Sequence, residues 1–381
     1  MNFNWNPKQQ ELYEQTLKFA ECNLKKISSE AVYQNFFPSS QWRKCGEMGL
    51  LGLSVSTEYG GMGLDALTTA RVEEALGKVC EDRGFIFSVA AHLCACVMPI
   101  YEYGSEELKQ VFLPSLCSGR LVGANAMTET EAGSDISHLQ TLAIREGDEY
   151  IINGTKSYVS NAPIADVFVV YATTNPSHGH MGNSVFVVER NTPGVNIGEP
   201  FKKMGLHTSL ISAVTFENCR VPCRQRIGEE GKGNTIFAQS MQWERSCLFA
   251  TYLGMMECQL EKTIAHASTR KQFRKSISKN QAVSHRIVDM KLRLEAARLL
   301  VYRACWLMDE GEDAVMDVSL AKLAVSEAAI QSSLDAIHIH GGIGYLTETG
   351  VEQMLRDSIP TTLFSGTSEI QRDLIARRLG L

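Results

Sequence analysis

The sequence predicts an α+β protein of three successive regions: a helical region over residues 1–120, a small sheet over 121–230 and a helical bundle over 231–381. Three observations carry this expectation. Apolar residues recur at helical spacing between capping signals in the first third. From Leu121 the texture changes to short β-branched and aromatic runs broken by turn residues, and from Gly231 long helical periodicity returns. No strand alternates with a helix, which argues against a doubly wound nucleotide-binding sheet.

Asn6-Pro7 reads as a helix start, asparagine capping and proline in the first turn, ahead of Leu12, Tyr13, Leu17 and Ala20. Ser39-Ser40 opens a second helix that gives out in Met48-Gly-Leu-Leu-Gly-Leu53. Glu58-Tyr-Gly-Gly-Met-Gly63 is a tight loop, followed by an amphipathic helix from about Asp65 to Val79. The most apolar run, residues 85–101, contains Ser88 and His92 and is too short to span a bilayer, so it is expected as a buried core helix. Ser105 with Glu106 and Glu107 behind it starts another helix, and Pro114 marks its end.

Tyr150-Ile-Ile152, Val167-Phe-Val-Val-Tyr171 and Val185-Phe-Val-Val188 are strand-like runs. The turn signals between them are Glu146-Gly147-Asp148, Asn153-Gly154 and Pro193-Gly194. They predict an antiparallel barrel or sandwich ending near Val221-Pro222. Periodic segments at 234–266, 279–308 and 313–340, with a closing helix from Thr367, then fit an antiparallel four-helix bundle.

With 381 residues, 44% of them hydrophobic, and a net charge of -6, the chain has the composition of a soluble globular protein. The mildly acidic balance gives no support to nucleic-acid binding or to an anionic membrane surface. The eleven cysteines are an odd number without metal-type rhythm. Cys94-x-Cys96 and Cys219-x3-Cys223 lack matching second pairs, so no metal site is expected, and free thiols point to the cytoplasm. Neither end carries a targeting pattern.

One stretch, residues 234–262, concentrates the interest. Phe237, Met241, Leu248, Tyr252 and Met255 form an apolar helical stripe, and the seven-residue step from Met241 to Leu248 passes over Glu244. A carboxylate on a buried stripe is costly unless paired or used. It is either ion-paired, with Arg245 or a neighbouring helix, or a catalytic base kept out of water. Other stretches carry polar potential of lower specificity. Met127-Thr-Glu-Thr-Glu-Ala-Gly-Ser-Asp135 and Asn153-Gly-Thr-Lys-Ser-Tyr-Val-Ser-Asn161 can offer donors and an aromatic face to a planar ligand, or be an ordinary loop and strand. Arg270-Lys-Gln-Phe273 suits phosphates or a solvated helix end. His338-Ile-His-Gly-Gly342 places its two histidines on different helix sides, and Gly366-Thr-Ser-Glu-Ile370 opens a helix with free N–H groups.

In their order, these pieces make the sequence resemble the acyl-CoA dehydrogenase flavoprotein family over essentially its whole length. The matching motifs are Glu58–Gly63, Met127–Asp135, Asn153–Lys156, Phe216-Glu-Asn-Cys-Arg-Val-Pro222, Arg270–Phe273, Gly341-Gly342 and Gly366-Thr-Ser-Glu-Ile-Gln371. The resemblance implies the family fold, with an N-terminal helical domain, a β-domain and a C-terminal four-helix bundle, assembled as a homotetramer around non-covalent FAD. It implies that residues 125–134 line the flavin, among them Asn125, Met127, Thr128 near the pyrimidine edge, and Ser134 near cofactor and substrate. Tyr158 takes a place usually held by tryptophan, and Ser160 stands where a family threonine meets the flavin N5. Arg270, Gln272, Phe273 and Gln281 match groups a neighbouring subunit offers to the dinucleotide. His338, Gly341, Gly342, Thr367 and Glu369 match the remaining contacts, His338 standing where glutamine is common.

Ser365 is the informative departure. Many family members carry the catalytic glutamate directly before the Gly-Thr motif, and serine cannot act as that base. A branch typified by isovaleryl-CoA dehydrogenase places the glutamate on the bundle helix immediately before an arginine, and Glu244-Arg245 matches it. The resemblance therefore implies α,β-type dehydrogenation of a thioester, with Glu244 removing the α proton, hydride passing to flavin N5 and Arg245 beside the substrate. Within the family the chain is most similar to prolyl-carrier-protein dehydrogenases or oxidases of pyrrole and anatoxin-type biosynthesis. That branch implies a phosphopantetheine-bearing acyl or peptidyl carrier protein as partner, and an acceptor flavoprotein or oxygen as the electron sink. A short branched-chain acyl-CoA dehydrogenase and a non-catalytic flavin-binding protein of the same fold are the alternatives.

Overall fold

The computed structural model describes residues 4–25 and 36–381. Helix α1 (Pro7–Asn23) begins with a reciprocal capping box, Gln9 N–H donating to Asn6 Oδ1 at 2.9 Å and Asn6 N–H to Gln9 Oε1 at 3.1 Å. Helix α2 spans Ser39–Glu47, and α3 (Ala66–Val79) is capped by Asp65, which accepts from Thr68 N at 2.7 Å. The apolar run becomes a continuous rod, Arg83–Tyr103, long and apolar enough to cross a membrane by composition and buried inside the fold. It comprises α4 (Arg83–Ala91), a π turn (His92–Val97) and α5 (Met98–Tyr103). His92 ties the rod to the sheet. Its Nδ1 accepts from Gly123 N at 2.9 Å, which leaves the ring proton on Nε2 facing the Leu116 carbonyl at 3.2 Å. Burial pushes this imidazole down to about 4, so it stays neutral.

Helix α6 (Glu106–Cys117) carries Pro114 within it, against the expectation that this proline ends the helix. Proline's fixed φ is itself helical, so the turn that follows Pro114 still closes, its carbonyl accepting from Ser118 N at 3.2 Å.

The sheet runs β1 (Gly123–Ala126), β2 (Leu142–Glu146), β3 (Glu149–Ser160), β4 (Val167–Thr173), β5 (Asn183–Glu189), β6 (Val195–Ile197), β7 (Ile211–Pro222) and β8 (Arg226–Ile227). Its order is β6-β7-β3-β2-β4-β5-β8, with β1 pairing β4. The pairing is mostly antiparallel, but β1 and β2 both meet β4 in parallel. Asn153-Gly154 is not a turn, because β3 runs through it with a break in register against β7. The side chain of Asn153 accepts from Asn218 N at 2.7 Å, and a Cβ on Gly154 would lie 2.5 Å from Thr141 Oγ1, so the pair serves a bulge. On β4, Val167, Val169 and Tyr171 face the helical core while Phe168, Val170 and Ala172 face the inside of the β-domain. Two buried faces explain why that run is apolar throughout.

The bundle holds α7 (Gly233–Trp243), a second π turn (Glu244–Leu248), α8 (Phe249–Thr269), α9 (Gln281–Asp309) and α10 (Val315–His340). Helix α11 (Val351–Ser358) was not foreseen, and α12 (Ser368–Arg378) closes the chain, capped by Thr367. A short hairpin, β9 (Lys271–Gln272) and β10 (Lys275–Ser276), joins α8 to α9. Helices α3 and α8 touch backbone to backbone: a Cβ on Gly77 would lie 1.9 Å from the Thr251 carbonyl, and one on Gly254 1.9 Å from that of Glu74.

Candidate active site

Where the rod, the sheet and the bundle meet, a cavity of about 1090 Å³ opens. Phe87, Ala91 and Ala95 of the rod form one wall, β1 and the bulged end of β3 a second, and the Glu244 turn with residues 363–367 a third. The two π turns pack against each other behind it. Such turns insert an extra residue into a helix and recur at functional sites.

The strand side is held by a buried ion pair. Lys156 Nζ lies 2.7 Å from Glu129 Oε1 and donates to the Met127 carbonyl at 3.0 Å, while Glu129 accepts from the backbone of Gln140 and Thr141 at 2.5 and 3.0 Å. Ser157 N–H reaches the Thr128 carbonyl at 2.8 Å. These contacts fix residues 127–129 against β3, so that Asn125, Met127, Thr128 and Ser134 all line the cavity. The Asn125 Oδ1 is buried without a hydrogen-bond partner among the described residues.

Tyr158 and Ser160 also line the cavity, though not by simple strand alternation. A second register break falls between Lys156 and Val159, and Tyr158 takes a left-handed φ of 55°. Ser157 and Asn161 reach the same space in consequence. The Tyr158 ring is 66% exposed and stands 5.7 Å from that of Phe201.

Glu244 begins the second π turn and is 9% exposed. Its Oε1 accepts from the Ser365 hydroxyl, and no ion pair to it exists among the described residues. Of the two readings left open by the sequence, the ion pair with Arg245 is not formed. Arg245 instead donates through Nε to the Ser365 carbonyl at 2.8 Å. Burial raises the Glu244 pKa, opposed by the Ser365 hydrogen bond and then by the charges of Arg245 and Lys322. Burial also lowers Arg245, to about 10, which leaves it charged at neutral pH.

Thr367 joins these residues at the cavity wall, its Oγ1 accepting from Ile370 N at 3.3 Å. The other residues singled out by resemblance stand elsewhere in the chain. Arg270, Gln272 and Phe273 lie in and beside the β9–β10 hairpin, Phe273 90% exposed with a φ of 49°, and Gln281 starts α9. His338, Gly341 and Gly342 lie at the end of α10, where His338 Nδ1 is 2.7 Å from Arg286 Nη1, and Glu369 lies in the first turn of α12.

Sequence reasoning passed over two buried groups near this site. Gln371 grips the Ser365 and Gly366 carbonyls through Nε2 at 3.2 and 3.0 Å, and Lys322 is fully buried with no hydrogen-bond partner for Nζ among the described residues. Gln371 closed a quoted motif, but only its long-range partners reveal its role. Lys322 carried a signal of its own, a lysine within an otherwise apolar and small-residue stretch of α10.

Known proteins share this fold. The N-terminal, middle and C-terminal domains of acyl-CoA dehydrogenase match residues 6–120, 124–219 and 231–380. An L-prolyl-peptidyl-carrier-protein dehydrogenase of Pseudomonas fluorescens is 51% identical over 100% of both chains. The solved structure described as PigA with FAD and proline is 46% identical, with a TM-score of 0.98 over 100% of both chains. The prolyl acyl carrier protein oxidase AnaB is 44% identical, with a TM-score of 0.96 over 99% of this chain and 100% of its own. With its whole length matched at such identity, this chain belongs to the acyl-CoA dehydrogenase family.

Proposed function

We propose that this protein is an FAD-dependent dehydrogenase or oxidase of a prolyl group held as a thioester on an acyl or peptidyl carrier protein, forming a pyrroline-carboxyl thioester in secondary metabolism. The observation that carries it is Glu244, a buried carboxylate with no cation paired to it among the described residues, facing a cavity between a sheet and a bundle. Full-length likeness to prolyl-carrier-protein dehydrogenases supports the substrate class.

The cavity fits FAD: it has the volume for a dinucleotide, an unpartnered Asn125 Oδ1, the Tyr158 ring and the capped start of α12. Asn125, Met127, Thr128, Ser134, Tyr158, Ser160 and Thr367 are the groups that would hold it from within one chain. Arg270, Gln272, Phe273 and Gln281 would serve the cofactor of a neighbouring subunit in a homotetramer, and His338, Gly341, Gly342 and Glu369 would make the remaining contacts to the dinucleotide. The exposed Phe273 ring supports that role. Bound FAD supplies the two-electron acceptor.

The chain's own residues supply position and a base. Deprotonated Glu244 takes the proton α to the thioester carbonyl, and burial keeps water away and strengthens the carboxylate as a base. Arg245 holds the Ser365 segment and contributes positive charge beside the developing enolate. Oxygen or an acceptor flavoprotein then takes the electrons onward, in the cytoplasm. Anaerobic mixing with prolyl-loaded carrier protein should bleach the flavin, whereas isovaleryl-CoA and other acyl-CoAs should not. Bleaching by isovaleryl-CoA alone makes the protein a branched-chain acyl-CoA dehydrogenase, and bleaching by no thioester makes it a binding protein.

A further inference from the structure

We propose that Ser365 is a positioning residue for Glu244, and that the Ser365-Gly366 turn is built to hold one oxygen of that carboxylate still. This rests on the reading of Glu244 as the base. The Ser365 hydroxyl donates to Glu244 Oε1, and Oε2 has no donor among the described residues. One oxygen is thus fixed while the other is free for a proton.

The turn is held more firmly than a surface loop requires. Ser365 adopts a left-handed φ of 56°, which a residue with a Cβ takes only when its surroundings impose it. Arg245 Nε, at 2.8 Å, and Gln371 Nε2, at 3.2 Å, both donate to its carbonyl. The same Gln371 amide donates to the Gly366 carbonyl at 3.0 Å, and Gln371 is fully buried. Gly366 has a φ of 82°, and a Cβ there would stand 2.8 Å from Gln371 Nε2, so only glycine lets the amide close over the turn. Two side chains, one from the π turn and one from α12, therefore set the direction of a single hydroxyl. A glutamate has three side-chain torsions, and a hydrogen bond to one oxygen removes most of the freedom that would misplace the other. It also favours the charged form, so its loss makes Glu244 harder to deprotonate.

The test uses S365G, which removes the hydroxyl and relieves the backbone, S365A, which removes the hydroxyl alone, E244Q and E244Q/S365G. Two readouts are needed: the pH profile of anaerobic flavin reduction by prolyl-carrier protein, and infrared titration of the Glu244 carboxyl in apoprotein, assigned by its loss in E244Q. Both S365G and S365A should move the acid limb upward by about one pH unit, lowering kcat more than they change KM. The infrared titration should move the same way, and S365G should add nothing to E244Q. An unmoved limb and titration in S365G, with E244Q inactive, overturns the positioning role alone. A shift in S365A but not S365G assigns the effect to backbone strain and overturns it as well. Normal flavin reduction by E244Q overturns the base assignment, and the positioning role with it.

Discussion

Glu244 and Ser365 lie 121 residues apart in the chain and meet in a single hydrogen bond, hydroxyl to carboxylate. The contact joins a π turn in the bundle to the loop entering α12, and it stands where the sequence offers a serine in place of the acid many relatives use. In the proposed mechanism one residue supplies the carboxylate base and the other orients it.

The pH dependence of turnover follows from this site. Burial holds the Glu244 carboxyl above the ordinary glutamate range, and Ser365, Arg245 and Lys322 only partly offset it. As the proposed base, Glu244 works deprotonated, so flavin reduction should fall as pH drops through a pKa above about 4.3. Stopped-flow reduction rates across pH measure it. A limb at or below the ordinary glutamate value would contradict the site as described.

Lys322 should lower stability. Its Nζ is buried without a hydrogen-bond partner among the described residues, and burial, then the Arg245 charge, push it down to about 7. Between that value and the ordinary lysine pKa of about 10.4, the unfolded chain holds a proton the folded one lacks. Stability therefore rises with pH across that window, and below it the full penalty remains. Lys322→Met should stabilise the apoprotein by about 1–4 kcal/mol at neutral pH and flatten this dependence, as read from urea midpoints.

The Glu129–Lys156 pair should behave in the opposite way. Each side chain is almost fully buried, and removing one leaves the other charge uncompensated. Lys156→Met should destabilise by about 3–5 kcal/mol, and adding Glu129→Leu should recover much of it. Urea denaturation of the single and double variants checks the coupling.

The contact between α3 and α8 depends on two glycines. Gly254→Ala puts a methyl group 1.9 Å from the Glu74 carbonyl, which the helices can relieve only by moving apart. A loss of at least about 1–3 kcal/mol is expected, seen as a lower Tm, without an added effect on flavin reduction in the surviving folded fraction.

Much of the fold was legible because its signals are local. Asn6, Asp65, Ser105 and Thr367 each cap the helix their neighbours announce, and the unbroken apolar run 167–171 is a strand buried on both faces. What escaped was set by distant partners. Asn153-Gly154 has turn chemistry, yet pairing with β7 carries the strand through it. The π turns leave no periodicity of their own, and they alter which residues share a face. Glu244 was marked by its place on an apolar stripe, but whether Arg245 neutralised it could be decided only where Ser365 stands.

The most direct test of the account is the rate of flavin reduction by Glu244→Gln on anaerobic mixing with prolyl-loaded carrier protein. The variant should retain FAD and reduce it about 10²–10⁴-fold more slowly than the parent. Reduction at the parental rate, with FAD bound, would contradict it.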